Sequence, residues 1–252
     1  MTNGYPTISI ITVCYNSVET IADTIASVAS QQYSDYEHII VDGASSDGTL
    51  DIVKNARSVT RYVSERDEGI YDAMNKGISM ATGNVIGILN ADDVYANTEI
   101  LQRISLKMER DSLDVLYGDI AFFSPNKPDV IKRRFSSAQF SPSKIAWGWM
   151  PAHPSLFIRR SVFEQYGFYK TDFKIAGDYE FVARIFKEGN LRYGYLPEVV
   201  VKMRTGGIST GGWRNTMLLN REVLRACSEN GITTNWLKIL SKYPFKLFEY
   251  LR

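Results

Sequence analysis

The chain has 252 residues, 44% of them hydrophobic, with a formal net charge of +1. That length supplies one sizeable domain or two small lobes around a shared core, and the near-neutral balance excludes a global field that would draw nucleic acid. No apolar run is long enough to span a bilayer, no basic and then apolar leader opens the sequence, and Cys14 and Cys227 have no metal-ligand spacing, so the chain reads as cytoplasmic with free thiols.

In chain order, Ile8 to Val13 reads as a buried strand, and Ile21, Ile25, Val28 and Ala29 follow at helical spacing with Asn16 or Ser17 as cap. His38 to Val41 is a second strand, stopped by the turn cluster Asp42 to Gly48, with a short helix over Thr49 to Asn55. Arg61 to Val63 is a third strand. Ile70, Ala73, Met74, Ile78 and Ala81 mark one face of a helix, and Val85 to Leu89 is a fourth strand running straight into Asn90-Ala91-Asp92-Asp93. Repeated strand–helix units of this length predict a mainly parallel sheet with helices on both faces. Ligands of such sheets bind beyond the carboxyl ends of the strands, where Cys14 to Asn16, Asp42 to Asp47, Ser64 to Asp67 and Asn90 to Asp93 would line one crevice.

The second half is less regular. Val115 to Tyr117 reads as a strand, about Phe122 to Trp149 as a long mobile connection, Ser155 to Ile158 as a strand and Asp178 to Lys187 as a helix, with a helical, basic sequence after Gly212.

Asp92 and Asp93 follow a buried strand directly. Two adjacent carboxylates losing hydration need a counter-charge, and oxygen ligands suit Mg²⁺ or Mn²⁺, with Asp93 the expected direct ligand. The duller alternative makes one of them a helix cap, although Asn97 stands better placed before Ile100.

The ordered set of Ser9 to Asn16, Val41 to Thr49, Ser64 to Ile78 and Asn90 to Asp93 resembles the bacterial family-2 glycosyltransferases of the GT-A fold, in particular the subgroup that builds surface polysaccharides. The likeness runs to about Gly207. It implies an inverting hexosyl- or N-acetylhexosaminyltransferase using Mn²⁺ or Mg²⁺. It divides the chain into a nucleotide-sugar-binding half over about 1–118, an acceptor-binding half over about 119–212 and a helical extension over 213–252. The implied donor residues are Thr12, Tyr15, Asn16, Asp42, Asp67, Asn75 and Asp92, with metal at Asp93 and Asp92. The implied catalytic base is Asp178 in Ala176-Gly177-Asp178, where Gly177 replaces the family's usual Glu; residue chemistry alone favours Asp178 as a helix cap, and the resemblance reverses that order.

Many relatives carry Asp-Asp at the second strand end, the second Asp reading uracil. Here Gly43 stands in that position, leaving Asp42 or Asp67 as substitutes and UDP ahead of GDP as the expected nucleotide. His153 matches a family loop near acceptor and leaving group, or is a hydrogen-bonded structural histidine. Trp147 and Trp149 flank a glycine before it and offer indoles to sugar faces or to a core. Lys202 and Arg204 either screen a diphosphate or form a solvated basic face.

From Trp236 to Arg252, apolar and aromatic residues alternate with Lys238, Lys242, Lys246 and Arg252. Such a tail lies in a membrane interface or packs on its own domain. The first option places the enzyme peripherally on the inner face of the cell membrane, beside a lipid-linked oligosaccharide acceptor. A dehydrogenase needs a glycine-rich turn after the first strand, and Cys14-Tyr15-Asn16-Ser17 has no glycine. A non-catalytic nucleotide-sugar or glycan-binding protein of the same fold is the remaining alternative.

Overall fold

The computed structural model of the chain describes residues 6–124, 127–205 and 212–241. Four parallel strands form its first half: β1 (Ile8–Cys14), β2 (Tyr36–Asp42), β3 (Arg61–Ser64) and β4 (Val85–Ile88). Helices α1 (Ile21–Ala29), α2 (Thr49–Asn55) and α3 (Ile70–Met80) connect them. The strand period of two explains why β1 is buried on both faces. Ile11 and Val13 join a cluster with Tyr71, Met74 and Ile78 of α3, while Ile8 and Ile10 join the opposite cluster, with Val28 of α1. Burying each aliphatic side chain contributes roughly 1.5–3 kcal/mol.

After the short β5 (Val94–Tyr95) comes α4 (Ile100–Arg110), then β6 (Val115–Ser124), β7 (Lys127–Phe135), β8 (Phe157–Arg159), α5 (Arg160–Tyr166), α6 (Gly177–Phe186), β9 (Tyr193–Arg204), α7 (Gly212–Glu229) and α8 (Trp236–Leu240). The sheet order is β3-β2-β1-β4-β8-β6-β9-β5, with β7 paired to β6.

Among the described residues this sheet is mixed rather than mainly parallel: β8 runs antiparallel between β4 and β6, and β5 and β7 pair antiparallel at β9 and β6. The physical reason lies in the connections, since β6 turns directly into β7 without a crossover helix that a parallel pair would need. The stretch from Phe122 to Trp149, expected as a mobile connection, instead holds the end of β6, β7 and a 3-10 turn over Pro142–Trp147.

Two antiparallel steps restore direction, so β6 runs the same way as β4, and β9 is parallel to β6. The carboxyl ends of six strands therefore open on one side of the sheet. The helix starts also differ in detail from expectation. Ser17 holds the start of α1 through its carbonyl, which accepts from Thr20 and Ile21, and not as a side-chain cap. Asn97 Oδ1 accepts from the Glu99 N–H one turn before α4 begins.

Helix α7 is no loose appendage. Val223, Ala226 and Cys227 on its inner face, and Ile239 of α8, belong to the main core cluster.

Candidate active site

An open crevice of about 960 Å³ lies at the shared carboxyl end of the strands. Its floor is made by two loops laced together. The Ser45 hydroxyl accepts from the Asn16 N–H at 2.8 Å, Asn16 Oδ1 accepts from the Ser46 N–H at 2.9 Å, and Asp47 accepts from the Val18 N–H at 3.0 Å. Asn16 and Ala44 adopt left-handed backbone, φ 47° and 61°. Asparagine tolerates that region, whereas alanine is strained in it.

Tyr15, Asn16, Asp92, His153, Asp178 and Arg204 all line this crevice. The Tyr15 ring is 63% exposed, an uncovered aromatic face at the end of β1. Burial raises the Asp92 carboxyl above the usual range, opposed by the nearby Arg204.

Other expected site residues stand elsewhere. Thr12 is fully buried and its hydroxyl lies 3.0 Å from His38 Nε2 inside the sheet. Asp42 is buried, accepting from the Ser45 N–H at 3.1 Å, from the Ser64 hydroxyl at 2.6 Å and from the Ser45 hydroxyl, so its oxygens organise the turn. Asn75 is saturated by the Tyr169 backbone, donating to its carbonyl at 2.8 Å and accepting from its N–H at 3.0 Å. Lys202 pairs within the sheet with Val94 and Ala121, and neither it nor the half-buried Trp149 lines the crevice wall.

Asp67 sits beside the floor. Its Oδ1 accepts from the Gly69 N–H at 3.0 Å, and a Cβ placed on Gly43 would lie 2.6 Å from its Oδ2 and 3.4 Å from the Tyr15 ring. The absent side chain at 43 is thus the space that the Asp67 carboxylate uses.

Asp93, expected as the direct metal ligand, is not on the wall. It is fully buried, its Oδ2 accepting from Asn90 Nδ2 at 3.0 Å. Burial first, and Asp92 second, push its carboxyl up to about 8. Three buried atoms at this point have no hydrogen-bond partner: Asn90 Oδ1, Asp93 Oδ1 and Arg204 Nε. Two are acceptors and one is a donor, so a cation beside an anion would meet all three, as would water that both donates and accepts. A divalent cation bound to a diphosphate is such a cation–anion pair. Among the described residues no group of three His, Cys, Asp or Glu side chains encloses a cation alone. The oxygens of Asp92, Asp93 and Asn90 are of the kind Mg²⁺ or Mn²⁺ takes, and would leave coordination positions open to a diphosphate.

Asp178 lies in the first turn of α6, which begins at Gly177 with Ala176 as N-cap, so Asp178 is not the cap. Its Oδ1 accepts from the Tyr179 N–H at 2.8 Å and stands 3.3 Å from the Tyr71 hydroxyl. That hydroxyl donates to the Ile175 carbonyl at 2.7 Å. A Cβ on Gly177 would strike the Tyr71 ring at 2.7 Å, which explains why no Glu stands before Asp178 here. His153 Nε2 lies 3.0 Å from the Tyr169 hydroxyl, and burial lowers its pKa, opposed by the charge of Asp178.

Sequence reasoning missed Tyr71, Lys132, Arg133 and Lys174, all on the crevice wall. Tyr71 was inside a recognised motif. Lys132 and Arg133 were hidden because β7 carries no apolar run.

The family model for glycosyl transferase family 2 matches residues 9–171. The PGL/p-HBAD biosynthesis glycosyltransferase of Mycobacterium bovis is 30% identical over 225 residues, covering 87% of this chain and 83% of that protein. The putative teichuronic acid biosynthesis glycosyltransferase TuaG of Bacillus subtilis is 34% identical over 114 residues, 44% of this chain and 45% of that protein. Among solved structures, S. aureus TarS 1-349 in complex with UDP-GlcNAc shares the fold at 20% identity and a TM-score of 0.68, over 87% of this chain and 66% of that one. The mannosyltransferase of Pyrobaculum calidifontis in complex with GDP-Man and Mn²⁺ shares it at 22% identity and a TM-score of 0.64, over 87% of this chain and 64% of that one. This chain spans 39% of the longer TarS chain. With the motif order, the strand-end crevice and a match across well over half the chain, this protein belongs to glycosyltransferase family 2.

Proposed function

We propose that the protein is an inverting, divalent-cation-dependent glycosyltransferase that moves a sugar from a nucleotide-sugar to a hydroxyl of a growing, lipid-linked surface oligosaccharide. The observation that carries this reading is one crevice walled by a carboxylate at the end of β4, Asp92, and by another in the first turn of α6, Asp178.

Asp178 accepts the proton of the acceptor hydroxyl as that oxygen attacks the anomeric carbon, and the bond to the diphosphate breaks on the opposite face. Arg204 meets the charge that develops on the leaving diphosphate. Asp92, on the wall beside Asn90, is taken as the first metal ligand, with the buried Asp93 behind it. A bound Mn²⁺ or Mg²⁺ supplies Lewis-acid stabilisation of the leaving group. Tyr15 stacks on the nucleobase and Asp67 takes the base-reading role left vacant at Gly43, which favours uracil. UDP-GlcNAc and UDP bound to TarS support that choice. Residues 1–118 serve the donor and 119–212 the acceptor, with Lys132, Arg133, Lys174 and His153 on the acceptor side.

The basic, aromatic tail places the enzyme on the inner membrane face. Residues 242–252 of that tail lie outside the described residues. On α8, Leu237 is 81% exposed and Lys238 stacks over Trp147, so the outward surface of this helix has the same apolar and basic character.

Nucleotide release from UDP-GlcNAc, with GDP-mannose as the second donor, tests the reading. Mn²⁺ should support turnover and excess EDTA should abolish it, and Asp92→Asn should lose both turnover and the Mn²⁺-dependent gain in UDP affinity. Full turnover in EDTA removes the metal. Tight nucleotide-sugar binding with no turnover on any acceptor makes the chain a binding protein instead.

A further inference from the structure

Residues 167–176, which lead into Asp178, form neither helix nor strand. Three successive backbone amides of this segment nevertheless converge on one side chain. The N–H groups of Lys174, Ile175 and Ala176 donate to the Glu222 carboxylate at 2.8, 2.9 and 2.8 Å. Glu222 is only 7% exposed and lies on α7, 46 residues along the chain from Ala176. Buried amides need partners, and a carboxylate is a strong one. From the other side, the Tyr71 hydroxyl of α3 donates to the Ile175 carbonyl, and the Tyr71 ring packs on Gly177. The stretch 174–178 is therefore gripped between two helices.

The grip is separable from the docking of α7. That helix is held by Val223, Ala226 and Cys227 in the core and by Lys170, which bridges Glu180 of α6 and Glu229 of α7. Among the described residues the hydrogen bonds of the Glu222 carboxylate go to the segment before Asp178. Glu222 also lies beyond residues 9–171, the part matched by the family model.

We propose that Glu222 is a positioning residue: by holding the amides of 174–176 it sets Asp178 at the crevice wall. The proposal rests on the reading of Asp178 as the base. No hydrogen bond of Glu222 among the described residues reaches the strand ends of β1, β2 and β4, so the effect is expected at the step that Asp178 serves.

The test uses the full chain with Glu222→Gln, Glu222→Ala and each of these combined with Asp178→Asn, read as UDP-GlcNAc hydrolysis in Mn²⁺ and as UDP affinity by calorimetry. Displacing a catalytic group by an ångström costs about 10²-fold. We expect kcat to fall by about that factor in Glu222→Ala and less in Glu222→Gln, which keeps one acceptor oxygen and serves if the alanine variant fails to fold. KM and UDP affinity should stay within about twofold of wild type, and neither Glu222 change should slow Asp178→Asn further. Wild-type kcat in both Glu222 variants, beside a crippled Asp178→Asn, overturns this proposal alone. Losses that multiply with Asp178→Asn, or that appear equally in UDP affinity, overturn it by showing a general structural role. A wild-type rate in Asp178→Asn overturns the base reading itself, and this proposal with it.

Discussion

Asp178 has a neighbour of the same charge two positions on, and their surroundings differ sharply. Asp178 faces the crevice, whereas Glu180 is fully buried, bridged by Lys170 and Arg184 and bonded to Asn230. Asp178→Asn keeps size and removes basicity, so transfer should fall by about 10²–10⁴-fold with donor affinity nearly intact. Glu180→Gln should do the reverse, leaving kcat close to wild type while lowering the melting temperature, since it leaves two cations short of a buried partner. Measuring kcat and thermal melting on the two variants separates the roles. A second residue effect concerns acid. His38 is wholly buried in β2, its Nδ1 has no partner, and burial lowers its pKa from 6.5 to about 4. Between those values the unfolded chain takes a proton that the native chain refuses. Stability is thus complete above about pH 6.5 and falls as pH drops towards 4, by about 3 kcal/mol in all. His153, also lowered by burial, acts with the same sign. Melting followed from pH 7 to 4 should show this slope, and His38→Gln should make it shallower.

Helix α3 illustrates how an element is fitted to its sheet. Gly77 lies in its middle, where glycine costs about 1 kcal/mol relative to alanine. A Cβ there would stand 2.3 Å from Ile11 Cγ2 of β1. Contact with the sheet therefore outweighs propensity, and Gly77→Ala should destabilise the fold by about 1–3 kcal/mol despite its better helix former. Denaturant unfolding checks this, and a stabilised variant would show that α3 can ride outward freely. The same comparison explains which elements were legible in the sequence. β1, ISIITVC, is buried at every position and announces itself as an apolar run, and α2 follows its turn cluster at the bounds expected from the sequence. β9 carries Pro197 and Glu198 and is largely half-buried; its register with β6 shifts between Tyr117↔Tyr195 and Asp119↔Val199, the bulge that accommodates the proline. β7 is basic and lies at an edge. Neither strand buries a complete face, so the sequence pattern marks neither: β7 falls in the stretch from about Phe122 to Trp149 that reads as a mobile connection. Tyr15, Asn16, Asp92 and Asp178 line the crevice as expected, because they sit in strand-end or helix-start motifs. Thr12 and Asn75 sit in the same motifs but turn inward, and sequence position does not reveal that direction.

At the scale of the molecule, the question is where the catalytic body ends. A boundary near residue 212 would leave α7 and α8 as an extension, yet both contribute to the core and α8 rests on the turn at Pro142–Trp147. Thr234 Oγ1 donates to the Ala146 carbonyl at 2.5 Å, tying that junction. Two truncations should therefore behave differently. Ending the chain after Ser241 should preserve melting temperature and UDP affinity while lowering recovery on vesicles containing acidic lipid. Ending it after Asn235 also removes the buried Ile239 and should cost about 2–5 kcal/mol, the range for losing a large core aliphatic. Equal vesicle binding by wild type and the longer truncation would assign the tail to another role. Equal melting of both truncations would place α8 outside the folding unit.

The space at Gly43 also bears on how this site can change by mutation. Acidic side chains at 43 and 67 would crowd and repel each other, since even a bare Cβ at 43 meets Asp67 Oδ2 at 2.6 Å. A carboxylate can move from one loop to the other only through an intermediate that carries both or neither. Each single step is then unfavourable although the completed exchange is sound. On the base-reading role proposed for Asp67, changing either position alone should weaken UDP binding, while Gly43→Asp together with Asp67→Gly should recover it.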